Sequence, residues 1–137
     1  PFFGQGMNAS FEDCQIFMKC LDESNDNWNN IFNNYNTIRK IDADAIAQMA
    51  IENYIEMRDL VTREDFIQKK VISAQLSKQY PKRFIPRYNM VSFTSIPYSE
   101  VYKRGNIQKK IISKLDIDSP DFNSVKDMIH KQLTFLS

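Results

Sequence analysis

The sequence predicts a mainly α-helical chain, and three observations support that fold class. Apolar side chains recur at steps of three and four residues along most of the 137 residues, which is the spacing of one helix face. Only three glycines and five prolines are present, too few for a sheet-rich fold with many tight turns. The chain is 42% hydrophobic and 26% charged, as is usual for a globular protein. We therefore expect helices around a modest core.

The periodicity defines the expected elements in order. The expected helices cover residues 8–21, 28–40, 42–60, 63–80, 99–115 and 120–135. Asp42, Thr62 and Ser119 are the expected N-caps, because their side-chain oxygens can accept from the first free amides. Pro81 ends the fourth helix, and Pro120 suits the first position of the last one. The stretch 83–97 contains two prolines with many aromatic and β-branched residues, so an extended or irregular segment is expected there.

The C-terminal segment, residues 116–137, is charged and amphipathic. Its acidic and basic side chains make insertion into a bilayer costly, and no apolar run in the chain approaches the ~18 residues of a membrane span. We expect the segment to pack an apolar face on the rest of the chain. That face consists of Phe122, Val125, Ile129 and Leu133.

The net charge of +1 is unevenly distributed. Residues 1–60 carry a net charge of −6, residues 61–115 carry +9 and residues 116–137 carry −2. A basic middle segment can be a nucleic-acid footprint or a solvated helix face. We favour the solvated face, because the lysines occur as pairs beside apolar residues, and we expect no nucleic-acid partner. A non-catalytic helical binding module with a basic surface is the alternative function.

Few residues of this chain suit metal or nucleophilic chemistry. Cys14 and Cys20 lie six residues apart on one predicted helix, so they face different sides and are expected to be reduced cytoplasmic thiols. His130 is the only histidine, and no catalytic role is expected for it. We expect no metal site.

Asn53 interrupts an apolar seam on the third predicted helix. The seam consists of Ile46, Ala50, Asn53, Met57 and Leu60. A buried amide without partners costs a few kcal/mol, so a neighbouring backbone group or a polar group of a ligand should satisfy Asn53.

The chain begins with the sequence PFFGQGMNAS. An exposed N-terminus is usually polar, so this apolar start predicts the interior of a longer chain. Gly4 and Gly6 lack a Cβ and allow close approach of a planar ligand, and Asn8 is the expected start of a helix with free amides. Alone, such a motif marks a tight turn more often than a cofactor loop.

Four segments resemble one known family. The stretch PFFGQGMNASFEDC resembles the second flavin-contacting motif of the kynurenine 3-monooxygenases, which are FAD-dependent aromatic hydroxylases. NYIEMR, FIPRYNMVSF and QKKII resemble further segments of that family in the same order and spacing. The resemblance extends from residue 1 to about residue 115.

The resemblance implies a fold and a reaction. The chain would be the C-terminal helical part of an α/β, Rossmann-like FAD-binding hydroxylase fold whose N-terminal portion is absent here. Residues 1–21 would end the FAD-binding domain, 22–115 would form the helical substrate region, and 116–137 the tail. The whole enzyme would hydroxylate L-kynurenine to 3-hydroxykynurenine with NADPH and O2 through a flavin C4a-hydroperoxide, in tryptophan catabolism and NAD biosynthesis. The fragment alone would be inactive.

The resemblance also assigns residues. The flavin contacts would be Gly4, Gly6, Met7 and Asn8, while Asn53 and Tyr88 would hold the amino-acid end of the substrate and face a common cavity. Pro1, Phe2, Phe3 and Met57 would line that cavity. Glu56 is either a site acid or an exposed helix carboxylate. Because the tail is charged rather than an apolar anchor, a soluble, cytoplasmic, bacterial-type enzyme is expected.

Overall fold

The computed structural model describes residues 3–24 and 27–136, which contain helices and no strand. The expectation of a mainly helical chain is therefore confirmed. The α-helices are α1 (Gly6–Glu23), α2 (Trp28–Ile55), α3 (Glu64–Gln79), α4 (Arg87–Phe93), α5 (Tyr98–Ile112) and α6 (Lys126–Gln132). A π-helix (Glu56–Leu60) follows α2, and a 3-10 helix (Phe122–Val125) precedes α6.

Helix α2 is continuous where the sequence predicted two helices. Asp42 lies in its interior, and the prediction that it caps a helix of its own is wrong. Its carboxylate instead accepts from the backbone N–H of Ser99, at 2.8 Å, in the first turn of α5. Asp42 thus supplies a helix-capping contact to a different helix.

Three further boundaries differ from the prediction. Helix α3 begins two residues after Thr62, with Arg63 at the N-cap. Ser119 caps neither tail helix: Asp121 caps the 3-10 helix by accepting from the backbone N–H of Asn123, and Val125 is the N-cap position of α6. The stretch 83–97 contains α4, because Met90 and Val91 both find buried positions on one side of that helix.

The buried side chains form two clusters. One joins α3, α5 and the tail, and it consists of Ile72, Leu76, Phe84, Ile111, Leu115, Val125, Ile129 and Leu133. The other joins α2, α4 and α5, and it consists of Ala45, Met49, Met90, Val91, Tyr98 and Val101. Phe122 packs against the first cluster. The predicted packing face of the tail is therefore confirmed, although α6 ends at Gln132 rather than at residue 135.

Two arginines of the basic segment anchor the tail through its backbone. Arg104 is 2% exposed and donates to the carbonyl oxygens of Thr134 and Arg83, both at 2.9 Å. Arg83 donates to the carbonyl oxygens of Leu133 at 2.7 Å and His130 at 3.2 Å. The interpretation of the basic segment as a solvated face is therefore wrong for these side chains. Burial lowers the pKa of Arg104, and nearby Arg83 lowers it further while Glu100 opposes the shift.

Within the described residues, no helix combines the length and the apolar character that crossing a membrane requires. The same part of the chain holds no cluster of three or more acidic, histidine or cysteine side chains suited to a metal ion. Cys14 is exposed and Cys20 is buried, and both are free thiols.

Candidate functional site

A cavity of about 450 Å³ lies where five elements meet the N-terminal loop. The end of α2 and the π-helix supply Asn53, Glu56 and Leu60, and the start of α4 supplies Tyr88. Helices α3 and α5 form the remaining walls, and Phe3 closes the side next to the glycine loop. Most of the surface of this cavity is apolar, and its charged lining residues are Glu56, Lys69, Lys70, Arg87 and Lys109.

The structure brings several sequence-predicted residues together at this cavity. Asn53, Tyr88 and Phe3 line it, as expected, and so does Glu56, for which the sequence leaves two positions open. Met57 does not belong to the lining and is 57% exposed, so the prediction for that residue is wrong. Pro1 and Phe2 lie outside the described residues.

The apolar seam of α2 is rotated by one residue from its predicted position. Ala45 and Met49 are its buried members rather than Ile46 and Ala50. Asn53 is only half-buried, with its Nδ2 3.9 Å from the sulfur of Met57. Asn53 therefore lies at the cavity wall rather than in the buried interior of the chain.

A π-helix begins three residues after Asn53, directly after α2, and carries Glu56 and Leu60 to the cavity. Single π-turns are rare in proteins and occur often at functional sites. Sequence periodicity did not reveal this one, because the pattern of apolar residues continues through it.

Glu52 does not line the cavity itself, but it pairs with two cations that do. Its Oε2 accepts from Arg87 Nη1 at 2.6 Å and from Lys109 Nζ at 2.8 Å. Burial alone would raise the pKa of Glu52, but the hydrogen bonds and charges of Lys109 and Arg87 outweigh burial and lower it to about 2. The Glu56 carboxylate forms ion pairs with Lys70 at 3.3 Å and with Lys109 at 3.7 Å. Glu52 and Glu56 thus pair with three cations of the lining, which are Arg87, Lys109 and Lys70.

Arg87 occupies space that a glycine leaves open. A Cβ on Gly105 would lie 2.5 Å from Arg87 Nε and 3.0 Å from Nη2, closer than such atoms approach. Arg87 also donates to Asn106 Oδ1 at 3.3 Å and lies over the Tyr102 ring, 5.7 Å from its centroid. Sequence reasoning missed Arg87 and Gly105. A glycine inside a helix, which costs about 1 kcal/mol relative to alanine, was the available signal.

Aromatic side chains form the wall next to the N-terminal loop. Phe3 and Tyr88 stack with ring centroids 6.2 Å apart, and Phe93 meets Tyr88 edge-on at 6.2 Å. Tyr88 remains 55% exposed and is one of the residues that line the cavity. The pair connects the cavity to the loop that carries the two glycines.

The glycine loop has an open backbone. Gly4 has a φ of +65°, and no atom lies within 4 Å of an added Cβ at Gly4 or Gly6. Helix α1 begins at Gly6, two residues before the predicted start at Asn8, and no side chain caps its first amides. The Gln5 Oε1 accepts from Asn8 Nδ2 at 2.9 Å and from the Tyr98 hydroxyl at 3.3 Å. These bonds attach the loop to both α1 and α5.

Comparisons with known proteins identify relatives over most of the chain, although no family model matches it. A kynurenine 3-monooxygenase of Cytophaga hutchinsonii is 45% identical over 116 residues, covering 84% of this chain and 26% of the relative. That of Myxococcus xanthus is 37% identical, covering 98% of this chain and 30% of the relative. That of Dictyostelium discoideum is 38% identical, covering 92% and 30%. The chain belongs to the kynurenine 3-monooxygenase family. It spans about 30% of the length of these curated relatives.

In this member of the kynurenine 3-monooxygenases, the residues assigned from the family either line the cavity or follow a lining residue along the chain. Asn53 and Tyr88, assigned to the substrate, line the cavity. Gly4, Gly6, Met7 and Asn8, assigned to the flavin, follow Phe3, which lines the same cavity. The assignments themselves stay predictions.

Proposed function

We propose that this chain is the C-terminal, substrate-side part of a flavoprotein kynurenine 3-monooxygenase that converts L-kynurenine to 3-hydroxykynurenine with FAD, NADPH and O2. The observation that carries the proposal is the shared cavity of Asn53, Tyr88 and Phe3 beside an open glycine loop. A binding module with a basic surface would need neither feature. Residues 1–21 would complete an FAD-binding domain supplied by an upstream part of the protein, and the 137 residues alone would be inactive.

The glycine loop fits one edge of a flavin. The open space beside Gly4 and Gly6 admits a planar ring, and the free amides at the start of α1 favour negative charge. Gly4, Gly6, Met7 and Asn8 would make these contacts. When bound and reduced by NADPH, FAD supplies the activated oxygen that is transferred to the substrate ring.

Different residues of the cavity would contact different parts of the substrate. The Asn53 amide and the Tyr88 hydroxyl can each donate to the substrate carboxylate, and such charge-assisted bonds are stronger than neutral ones. Phe3 and its neighbours offer apolar contacts to the aromatic ring and exclude water from it. The ring amine of kynurenine already activates the neighbouring carbon, so no strong protein base is required.

Glu56 would contribute charge balance at this site. Its carboxylate pairs with Lys70 and Lys109, so its main role would be to hold two cations on the cavity wall. We further propose a soluble, cytoplasmic enzyme of bacterial type, because the tail has a charged surface and packs on the helical core.

The test uses the full-length protein that carries this chain. In Asn53→Ala and Tyr88→Phe, the loss of a charge-assisted bond of about 1.5–3 kcal/mol should weaken kynurenine binding by one to two decades while FAD stays bound. Asn34→Ala, which removes an exposed amide of the same helix, is the control. Substrate titrations of NADPH oxidation, with the flavin absorbance of each purified variant, measure both effects.

Two results would reject the proposal. One is wild-type substrate titration in both the Asn53 and the Tyr88 variants. The other is a colourless full-length protein that binds DNA or RNA with a strong salt dependence, which would favour the binding module.

A further inference from the structure

We infer that the ion pair of Glu52 and Arg87, in a space kept open by Gly105, is a positioning device that fixes Asn53 and Tyr88 relative to each other. The inference rests on the proposed function, since it concerns how the substrate-side residues are held. It assigns a role in substrate binding to three residues that need not contact the substrate's carboxylate themselves.

The ion pair joins the two chain segments that carry the proposed substrate donors. Glu52 directly precedes Asn53 at the end of α2, and Arg87 directly precedes Tyr88 at the start of α4. The Arg87 Nη1 to Glu52 Oε2 distance is 2.6 Å, and the two side chains are 14% and 20% exposed. A charge-assisted bond this short and this sheltered restricts both backbones next to it.

Few other direct contacts can perform this function. Helix α4 packs mainly against α5, and α2 packs against both α1 and α5, while Met49 and Met90 share one buried cluster. Such apolar packing tolerates small shifts along a helix. The ion pair therefore provides the directional contact at the cavity side, where a displacement of about 1 Å can cost as much as 100-fold in rate.

Gly105 controls where the guanidinium lies. Because a Cβ there would lie 2.5 Å from Arg87 Nε, Gly105→Ala must push the guanidinium away from its present site by several tenths of an ångström. The guanidinium also contacts Asn106 and Tyr102, so its displacement disturbs a set of contacts that includes the bond to Glu52. In other respects alanine favours a helix over glycine, so this change perturbs the ion pair without weakening the helix.

The experiment measures the kynurenine dissociation constant of the full-length protein by isothermal titration calorimetry, together with KM, kcat, flavin absorbance and thermal unfolding. Glu52→Gln and Gly105→Ala should each raise the dissociation constant and KM about tenfold, with FAD bound. Asp44→Asn, which disrupts an exposed ion pair with Lys40 on the same helix, is the matched control and should bind as wild type.

A double-substitution cycle separates positioning from general destabilisation. Because Gly105 acts through the guanidinium, adding Gly105→Ala to Arg87→Lys should change the dissociation constant by less than about twofold, whereas the same change in the wild type changes it about tenfold. If Gly105→Ala does not fold, then Glu52→Gln and Arg87→Lys, compared with their double variant, provide the same cycle.

The outcomes distinguish the inference from the function on which it rests. Wild-type kynurenine affinity in Glu52→Gln and Gly105→Ala, with weakened affinity in Asn53→Ala and Tyr88→Phe, overturns the inference alone. Wild-type affinity in all four variants overturns the proposed substrate site as well. Equal and additive losses in the cycle also overturn the inference, because they indicate independent structural effects.

Discussion

Glu52→Gln should destabilise the protein at neutral pH and have a much smaller effect in acid. The pKa of the Glu52 carboxyl lies at about 2 in the folded chain, against an ordinary value of 4.5. Since the folded state binds this proton more weakly, the ionised carboxylate stabilises the fold fully above pH 4.5, and its contribution is lost as the pH falls from 4.5 towards 2. The difference between these two pKa values corresponds to about 3 kcal/mol of folding stability. Lys109 is half exposed, so solvent weakens its interaction with Glu52. We therefore expect Glu52→Gln to lower the unfolding free energy by about 2 kcal/mol at neutral pH.

Urea unfolding of the wild type and Glu52→Gln at pH 7 and pH 3 measures this contribution. The difference in unfolding free energy between the two proteins should be about 2 kcal/mol at pH 7 and less than half of that at pH 3. Asp44→Asn, whose ion pair with Lys40 is exposed, should stay within about 0.5 kcal/mol of the wild type at pH 7. A difference for Glu52→Gln that is the same at both pH values would refute the assignment of the lowered pKa to this carboxyl.

Two further substitutions test contacts between distant parts of the chain. Arg104→Met should remove the buried donor to the Thr134 and Arg83 carbonyl oxygens and lower the unfolding free energy by about 2–4 kcal/mol. Limited proteolysis should then cut the tail faster, and an unchanged cleavage rate would contradict the anchoring role. Asp42→Ala should lower the unfolding free energy by about 1 kcal/mol, because the Ser99 N–H loses its acceptor. Asp42→Asn should retain most of that stability. Equal thermal unfolding of Asp42→Ala and wild type would show that the cap is unimportant.

The sequence predicts contacts within one helix far better than contacts between helices. The tail face of Val125, Ile129 and Leu133 follows from periodicity alone, and the structure buries all three. Asp42 has the side chain of a helix cap, but its partner Ser99 lies 57 residues further on, and no local pattern predicts that pairing. The sequence therefore identifies Asp42 as a capping side chain but does not identify the helix that it caps.

The candidate site shows the same limit. The resemblance to a family, rather than the spacing of residues, placed Asn53 and Tyr88 at one cavity. The surplus of positive charge in residues 61–115 predicted a basic surface, whereas Arg87 meets Glu52, 35 residues earlier. A charge balance counts cations and anions along the chain, but three-dimensional packing decides which of them meet. Gly105 carried a readable signal, because a mid-helix glycine has a local cost that requires a reason elsewhere.

The tail is held at its end through main-chain carbonyl groups, which every amino acid possesses. Arg83 and Arg104 donate to the carbonyl oxygens of residues 130, 133 and 134, so these bonds do not depend on which side chains those residues carry. Exposed positions such as His130 and Lys131 can therefore vary among homologues without loss of the attachment, provided that the backbone path and the buried Leu133 remain. The C-terminal segment is thus suited to exchange between relatives, and chimeric proteins that swap the surface of this tail should keep it docked.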